Sequence, residues 1–325
     1  MGVSLVTGAR GFVGGWLAKA LLERGETVVS LDRKRAGQRP SAIGMLGIEQ
    51  ELVQVEGDLV DADVIARLLA QHDVDTVFHL AAEVIVATVQ ASPVRGFESN
   101  VRGTWTLLEA CRAHGAERVV VASSDKAYGS HEELPYREHY ALQPTAPYEV
   151  SKAATDLIAR SYWPSYALPV AVTRFANIYG GGDLNFSRLV PEAVSAVLQG
   201  RAPVLRSDGS PERDFLYVED AAAAYVAIAD RLDDENVRGE AFNAGGGRAH
   251  RIGDVVALIC RLAGSSIEPE IRGSGNPAGE IDRQFVDAAK IHRLCGWEPQ
   301  VDLEQGLERT IAWSREHPES LAPSP

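Results

Sequence analysis

Residues 7–14 read Thr-Gly-Ala-Arg-Gly-Phe-Val-Gly, and they join the apolar run Val3–Gly8 to a helical pattern over Phe12–Arg24. This Gly-x-x-Gly-x-x-Gly spacing is typical of the turn that leads from a first strand into a nucleotide-binding helix. Gly8 would make the tight turn, Gly11 would let the backbone approach a pyrophosphate, and Gly14 would let the helix pack closely on the strand. Free amides and the helix dipole favour an anion at such a helix N-terminus. The stretch therefore predicts a dinucleotide site at the edge of a parallel sheet.

The rest of the first half repeats this alternation of strand and helix. Strands are predicted at Val3–Gly8, Thr27–Asp32, Leu52–Asp58, Thr76–Ala81, Arg118–Ser124 and Val170–Tyr179. Helices are predicted at Phe12–Arg24, Asp61–Gln71, Val94–His114 and Pro147–Trp163. The strand runs are nearly continuously apolar, as expected for parallel strands covered on both faces. The order predicts an α/β fold with a doubly wound parallel (Rossmann) sheet.

The second half changes character after a run of three glycines at 180–182. Helices are predicted at 187–200, 220–230, 252–263 and 305–315, with short strands at 214–218 and 241–243. We expect residues 1–179 to form a nucleotide-binding domain to which 214–244 return. Residues 180–213 and 245–325 would then form a smaller mixed α/β C-terminal lobe that binds the substrate.

Composition and charge exclude several classes of protein. The chain has 325 residues, with 32 Lys plus Arg against 45 Asp plus Glu, so its net charge is −13. An acidic chain without a basic block is a poor partner for nucleic acid or an anionic membrane, and neither is expected. Cys111, Cys260 and Cys295 lie far apart, and no metal-ligand spacing occurs, so no disulfide or metal site is predicted. No apolar run reaches about 18 residues, and the expected location is the cytoplasm.

Asp32, at the end of the second predicted strand, indicates which dinucleotide would bind. It follows Gly8 by 24 residues, close to the spacing of about 20 expected for a carboxylate that binds the adenosine ribose. A carboxylate would repel a 2′-phosphate, so NAD is favoured over NADP. The neighbouring run Arg33-Lys34-Arg35 would be solvated, although it could accommodate a phosphate.

Tyr148 and Lys152 are four residues apart and would share one face of a helix. A nearby ammonium and the positive nicotinamide of an oxidised cofactor would lower the tyrosine pKa from about 10 toward 7. Such a tyrosine could take the proton from an alcohol. Ser124 follows the predicted strand 118–124 at the sheet edge where such folds bind ligands, and it could orient the reacting oxygen. The alternative is a tyrosine–lysine pair on a solvated helix face.

Motifs along almost the whole chain resemble the extended short-chain dehydrogenase/reductase family, which contains the nucleotide-sugar epimerases and dehydratases. The matching segments are 7–14, 58–59, 79–82, Asn100 with 103–104, 123–129, 148–152, 174–180, 213–220 and 296–297. The resemblance implies that NAD is bound by Gly8, Gly11, Phe12, Val13, Gly14, Asp32, Asp58, Leu59, Leu80, Ala81, Ala82, Asn100, Tyr148 and Lys152. It implies a nucleotide-diphosphate sugar held by Glu83, Ser124, Asn177, Arg188 and Arg213.

Asp125 and Lys126 indicate which reaction of this family the protein would catalyse. An Asp-Lys pair followed by the Gly-Gly-Gly-Asp loop at 180–183 is most similar to the CDP-glucose type of 4,6-dehydratase. Asp125 could protonate the departing C6 hydroxyl only if its pKa were raised to about 6 to 7. Many dehydratases have glutamate where Lys126 stands, so the C5 base stays open: either Lys126 is neutral and is that base, or it points elsewhere. In a third interpretation Asp125 caps a turn and Lys126 faces solvent.

The resemblance therefore implies an NAD-dependent nucleotide-sugar 4,6-dehydratase with Ser124, Asp125, Lys126, Tyr148 and Lys152 as catalytic residues. A 4-epimerase is the alternative, and a non-catalytic NAD-binding partner protein is a second one. Helices 94–114 and 147–163 would form a homodimer interface by family analogy. The eight histidines are expected to form no constellation, and Arg174 is expected on the surface.

Overall fold

The computed structural model describes residues 2–34, 40–275 and 281–321. Its strands are β1 (Val3–Thr7), β2 (Thr27–Asp32), β3 (Val53–Glu56), β4 (Thr76–His79), β5 (Arg118–Ala122), β6 (Val170–Phe175), β7 (Asn177–Tyr179), β8 (Val204–Leu205), β9 (Glu212–Arg213), β10 (Phe215–Tyr217), β11 (Ala241–Ala244), β12 (His250–Arg251), β13 (Glu270–Ile271) and β14 (Arg283–Gln284). Within the described residues, seven of them form one parallel sheet in the order β11-β6-β5-β4-β1-β2-β3. The predicted doubly wound parallel sheet is confirmed.

Helices cover both faces of this sheet. They are α1 (Phe12–Glu23), α2 (Ala42–Met45), α3 (Ala62–Gln71), α4 (Val86–Ala91), α5 (Pro93–Phe97), α6 (Gly103–His114), α7 (Pro147–Tyr166), α8 (Leu189–Leu198), α9 (Val218–Asp230), α10 (Ile252–Leu262), α11 (Ala289–Cys295) and α12 (Leu303–Glu316). Successive residues of β1 point to opposite faces, so Leu5 packs with the core under α3, α6 and α7, whereas Val6 packs with the core under α1 and α9. Burial on both faces explains why the strands lack polar alternation.

Two predicted elements are interrupted in the structure. The predicted strand 170–179 divides at Ala176, where β6 stays in the large sheet and β7 pairs with β10 in a separate small sheet. The predicted helix 94–114 divides into α5, a π turn at Glu98–Arg102, and α6. The carbonyl of Asn100 in that turn accepts hydrogen bonds from the hydroxyls of Thr104 and Thr155, so side chains hold the turn in place.

The second half adds three small sheets beside the large one. Within the described residues they pair β10 with β7, β9 with both β12 and β14, and β13 with β8. None of the helices in the described parts of the chain is both long enough and apolar enough to cross a membrane.

Arg174 lies inside the molecule, so its predicted surface position is wrong. It lies on β6 with its side chain 1% exposed, and its Nε and Nη2 donate to the Oδ2 and Oδ1 of Asp156 at 2.7 and 2.8 Å. Its Nη1 donates to the hydroxyl of Tyr128 at 3.0 Å and to the carbonyl of Glu138. A guanidinium can be buried when its donors are satisfied in this way. Arg174 thus connects α7 and β6 to the short 3-10 helix Asp125–Tyr128.

Arg174→Met should destabilise the protein by roughly 3–5 kcal/mol in urea unfolding, because it leaves Asp156 charged, buried and unpaired. The matched control is Arg102→Met, which breaks the exposed ion pair with Glu98 and should cost less than about 1 kcal/mol. Equal losses in the two variants would contradict the structural role given to Arg174.

Candidate active site

The glycine turn leaves a bare backbone surface at the N-terminus of α1. Gly8 has a φ of +79°, and a Cβ at Gly14 would lie 2.2 Å from the carbonyl oxygen of Gly8, so neither position accepts a side chain. Gly11 is the N-cap of α1 and provides no side-chain cap, which leaves first-turn amides for an anion. This surface fits the pyrophosphate of a dinucleotide, and it is the observation that supports NAD in this site.

The other residues predicted to bind the cofactor lie around this turn. The Asp32 carboxylate accepts a hydrogen bond from the Arg10 amide at 3.2 Å, which places it at the turn, and Ala81 packs 3.0 Å from the position a Gly8 Cβ would take. Phe12, Val13, Leu80 and Ala82 are partly buried beside them, Leu59 is buried, and Asp58 accepts from the Val60 amide. Arg35 of the basic run lies outside the described residues.

Two hydrogen bonds join α7 to the end of β5. The Nζ of Lys152 donates to the carbonyl of Ala122 at 2.9 Å, and the hydroxyl of Ser123 donates to the carbonyl of Lys152 at 2.9 Å. Lys152 is 4% exposed, and burial lowers its pKa to about 8. These two hydrogen bonds hold α7, the helix that carries Tyr148, at the carboxyl edge of the sheet, where parallel sheets bind their ligands.

Tyr148 is 8% exposed, and burial raises its pKa to about 12. The charge of Arg188 and a hydrogen bond with Ser124 lower this pKa, and the carboxylate of Asp125 raises it. Arg188 is therefore a cation that acts on the phenol, and the lowering of this pKa by Lys152 in the cofactor-loaded site stays a prediction. Bringing the pKa from about 12 to about 7 requires roughly 7 kcal/mol of stabilisation of the phenolate.

Asp125 is a buried carboxyl group with one unused oxygen. It begins the 3-10 helix that Ser124 caps, and the Ser124 hydroxyl donates to its Oδ1 at 3.2 Å while accepting from the Lys126 amide. The residue is 3% exposed, and its Oδ2 has no hydrogen-bond partner among the described residues. Burial raises its pKa to about 6, against the opposing charges of Lys126 and Arg213. A pKa near 6 is the value that the predicted acid requires.

Lys126 and Arg213 lie near this carboxyl group. Lys126 is half-buried, and within the described residues its ammonium forms no hydrogen bond or ion pair. Its charge lowers the pKa of Asp125, and its role as the C5 base stays a prediction. Arg213 donates through Nη1 to the carbonyls of Glu212 and Asp282, so its backbone partners hold it beside the acid.

Arg188 precedes α8 and pairs with the buried Asp183 at 3.1 Å. Asp183 closes the glycine loop 180–183, whose Gly181 carbonyl accepts from the Trp16 indole of α1 at 2.8 Å. The substrate-side arginine is therefore anchored, through this loop, to the helix that begins at the glycine turn.

Three predicted contact residues have structural partners in this state. Asn177 donates through Nδ2 to the carbonyl of Asp214, and the Oε1 of Glu83 accepts from the Ile85 amide. Asn100 is 2% exposed, and its amide is engaged by the backbone of Glu83 and the hydroxyl of Ser151. The side chain of Asn100 thus holds the segment that follows Ala81 and Ala82, and its contact with the cofactor stays a prediction.

Sequence reasoning missed two buried residues of the site. Asp214 is 0% exposed, accepts from the Gly246 amide at 2.8 Å, and has its pKa raised to about 7 by burial and by the nearby Asp125. His79 is 3% exposed and is hydrogen-bonded through both ring nitrogens to threonine hydroxyls. His79 belongs to the segment 79–82 that carries the family resemblance, but its position in the sequence does not indicate which residues it contacts.

Comparisons with known proteins agree on one family. Residues 5–310 match the family described as GDP-mannose 4,6 dehydratase. The chain is 33% identical to dTDP-glucose 4,6-dehydratase 1 of Escherichia coli, over 95% of this chain and 91% of that protein. It is similar to the structure of DesIV, a dTDP-glucose 4,6-dehydratase of Streptomyces venezuelae solved with NAD, with a TM-score of 0.88, 32% identity and 99% of both chains covered. It is also similar to UDP-glucose 4-epimerase of Thermus thermophilus in complex with NAD, with a TM-score of 0.85, 30% identity, and 97% and 99% of the two chains covered.

Asp125→Asn should stabilise the protein above pH 6. A carboxyl group whose pKa rises from 3.8 to about 6 on folding stabilises the folded state below pH 3.8, and that contribution is lost as pH rises through 6. Urea unfolding of the variant and the native protein from pH 4 to 8 should show a gain of about 3 kcal/mol at pH 7.5 that disappears near pH 4. A gain independent of pH would contradict the buried position of this carboxyl group.

Proposed function

We propose that this chain, which belongs to the GDP-mannose 4,6 dehydratase family of the extended short-chain dehydrogenases/reductases, is an NAD-dependent nucleotide-sugar 4,6-dehydratase. The resemblance deduced from the motifs is confirmed by the family match. The observation that carries the reaction assignment is Asp125, a buried carboxyl group with an unpaired Oδ2 and a pKa near neutrality beside Ser124 and Tyr148. A 4-epimerase does not need an acid there, because it eliminates no water.

The oxidation at C4 uses Tyr148, Ser124 and Lys152. When bound, NAD would supply the redox chemistry of the reaction, as the acceptor of the hydride from C4 of the hexose and the source of the hydride for C6. Tyr148 takes the proton of the C4 hydroxyl, and Ser124 orients that oxygen. Lys152 keeps two of its three N–H donors after its bond to Ala122, so it can also bind a ribose hydroxyl.

The elimination uses Asp125 and Lys126. The C4 ketone acidifies the C5 proton, which the neutral amine of Lys126 removes, and the C6 hydroxyl leaves with the proton of Asp125 as one water. A proton then returns to C5, which gives a 4-keto-6-deoxy sugar. The adjacent positions of these two side chains on the 3-10 turn support this division of roles. Lys126 must lose its proton before it acts, and among the described residues its side chain has no hydrogen-bond or ion-pair partner that would retain that proton.

The substrate is a nucleotide-diphosphate hexose. Arg188 and Arg213 would bind its diphosphate through their guanidinium groups, with Asn177 and Glu83 at the same end of the sheet. The Asp125-Lys126 pair and the loop 180–183 resemble the CDP-glucose type, whereas relatives are named for dTDP-glucose. We assign the substrate lobe to residues 180–213 and 245–325, with 1–179 and 214–244 forming the NAD-binding domain, and we place the enzyme in the cytoplasm.

Incubation with dTDP-, UDP-, CDP- and GDP-hexoses tests the reaction. Mass spectrometry should detect a product lighter than one of these substrates by one water. A product of unchanged mass with inverted C4 would identify an epimerase. No conversion of any substrate by protein loaded with NAD would support the non-catalytic alternative.

Lys126→Ala should retain oxidation at C4 but lose the elimination, because the C5 base is missing. A single turnover should therefore accumulate reduced nicotinamide, seen by its absorbance, while the loss of water falls by about 10²–10⁴-fold. Lys19→Ala, which removes a lysine of α1, is the control and should behave as the native enzyme. Unchanged water loss in Lys126→Ala would exclude Lys126 as the base.

The enzyme is also proposed to be a homodimer. An apolar surface along α5, α6 and α7 exposes Val94 (73%), Trp105 (44%) and Leu157 (59%) to solvent. Large apolar side chains exposed on neighbouring helices are typical of an interface, and a second copy of the same helices would cover them symmetrically.

Leu157→Glu should convert the dimer to a monomer in sedimentation experiments, because it introduces a charge into the proposed interface. Ile271→Glu is the matched control: its side chain is equally exposed at 59%, but it lies on β13 away from this surface. A Leu157→Glu protein that sediments like the control would overturn the interface.

A further inference from the structure

A buried run of hydrogen bonds connects the glycine turn to the helix of Tyr148. The hydroxyl of Thr7, the residue before Gly8, lies 2.9 Å from Nδ1 of His79, and Nε2 of His79 lies 3.0 Å from the hydroxyl of Thr104 on α6. Thr7 and Thr104 are 0% exposed and His79 is 3% exposed. The three side chains therefore cross the core from β1 through β4 to α6.

Counting donors fixes the direction of these bonds. The Thr7 hydroxyl accepts from the amides of Leu80 and Ala81, both at 3.2 Å, so its single proton is donated to Nδ1 of His79. The Thr104 hydroxyl donates its proton to the Asn100 carbonyl at 2.6 Å, so it accepts from Nε2 of His79. Both ends require the same tautomer, with the proton on Nε2.

The run continues from Asn100 to the catalytic helix. The Asn100 amide donates to the hydroxyl of Ser151 at 3.0 Å, and that hydroxyl donates to the carbonyl of Tyr148 at 2.7 Å. The same amide binds the backbone of Glu83, which follows Ala81 and Ala82. Thus the segment beside Gly8 and the first turn of α7 share a continuous set of buried partners.

We propose that His79, fixed as the Nε2–H tautomer between Thr7 and Thr104, is a positioning residue that couples the nucleotide-binding turn to the helix carrying Tyr148. A protonated imidazole would direct an Nδ1–H at a hydroxyl whose lone pairs are already used. Burial and the charge of Lys152 lower the pKa of His79 to about 3, which keeps the ring neutral. The role of Tyr148 rests on the proposed function, but the coupling itself does not.

Two substitutions separate the two halves of the connection. His79→Asn can keep an acceptor near the position of Nδ1 for Thr7, but it cannot reach Thr104. His79→Gln can keep a donor near the position of Nε2 for Thr104, but it leaves Thr7 without its acceptor. Each variant loses one buried hydrogen bond, an effect of about tenfold.

The affinity for NAD, measured by titration calorimetry on cofactor-free protein, should fall about tenfold in His79→Gln and stay within about twofold in His79→Asn. The turnover of NAD-saturated enzyme should show the reverse, a fall of about tenfold in His79→Asn only. Thr104→Ser keeps the hydroxyl and should behave as the native protein. Equal effects of the two His79 variants on both quantities, or none, would overturn the coupling and leave His79 a packing residue.

A measurement on the native protein tests the proposal even if a His79 variant does not fold. Long-range ¹H–¹⁵N spectra of the histidine side chains should show His79 as the Nε2–H tautomer from pH 8 to pH 5, and an Nδ1–H tautomer or a titration near pH 6.5 would overturn the proposal. The spectra and the NAD titrations require no sugar substrate. If they give the expected results while no nucleotide-hexose is dehydrated, the proposed function fails and the coupling stands.

Discussion

The reciprocal bonds between Lys152 and the end of β5 are the constraint on which the site depends. The ammonium donates to the Ala122 carbonyl, and the Lys152 carbonyl accepts from Ser123, so α7 cannot slide along the sheet without breaking both. Ser124 and Asp125 follow directly in sequence, and Tyr148 lies one turn before Lys152. One pair of hydrogen bonds thus fixes the relative positions of Tyr148 and Asp125, the proposed base and the proposed acid.

Burial raises the pKa values of the acidic groups in this site and lowers the pKa of its lysine. It raises the pKa of Tyr148 to about 12 and that of Asp125 to about 6, and it lowers the pKa of Lys152 to about 8. A phenol with this raised pKa stays protonated at neutral pH, so the positive charges of Arg188 and, when it is bound, of the oxidised nicotinamide would have to stabilise the phenolate before Tyr148 could take a proton. The same burial keeps Asp125 partly protonated near neutral pH, as an acid requires.

The sequence predicted what depends on local pattern. The glycine turn, the parallel strands and the Tyr148–Lys152 spacing follow from periodicity and short motifs, and the large sheet has the predicted class. Partners distant in the chain could not be predicted, because they depend on packing. Arg174 was expected at the surface because its charge is costly to bury, but Asp156 and Tyr128 satisfy its donors. His79 was missed for the same reason, since Thr7 and Thr104 come from two other elements.

The most direct measurement follows the hydrogen at C4. A nucleotide-hexose deuterated at C4, converted by the enzyme loaded with unlabelled NAD, should give a product that has lost one water and carries the deuterium at C6. That result requires oxidation at C4, elimination of water and reduction at C6 to take place one after another in the same buried site. Deuterium found again at C4 of a sugar of unchanged mass would contradict the account.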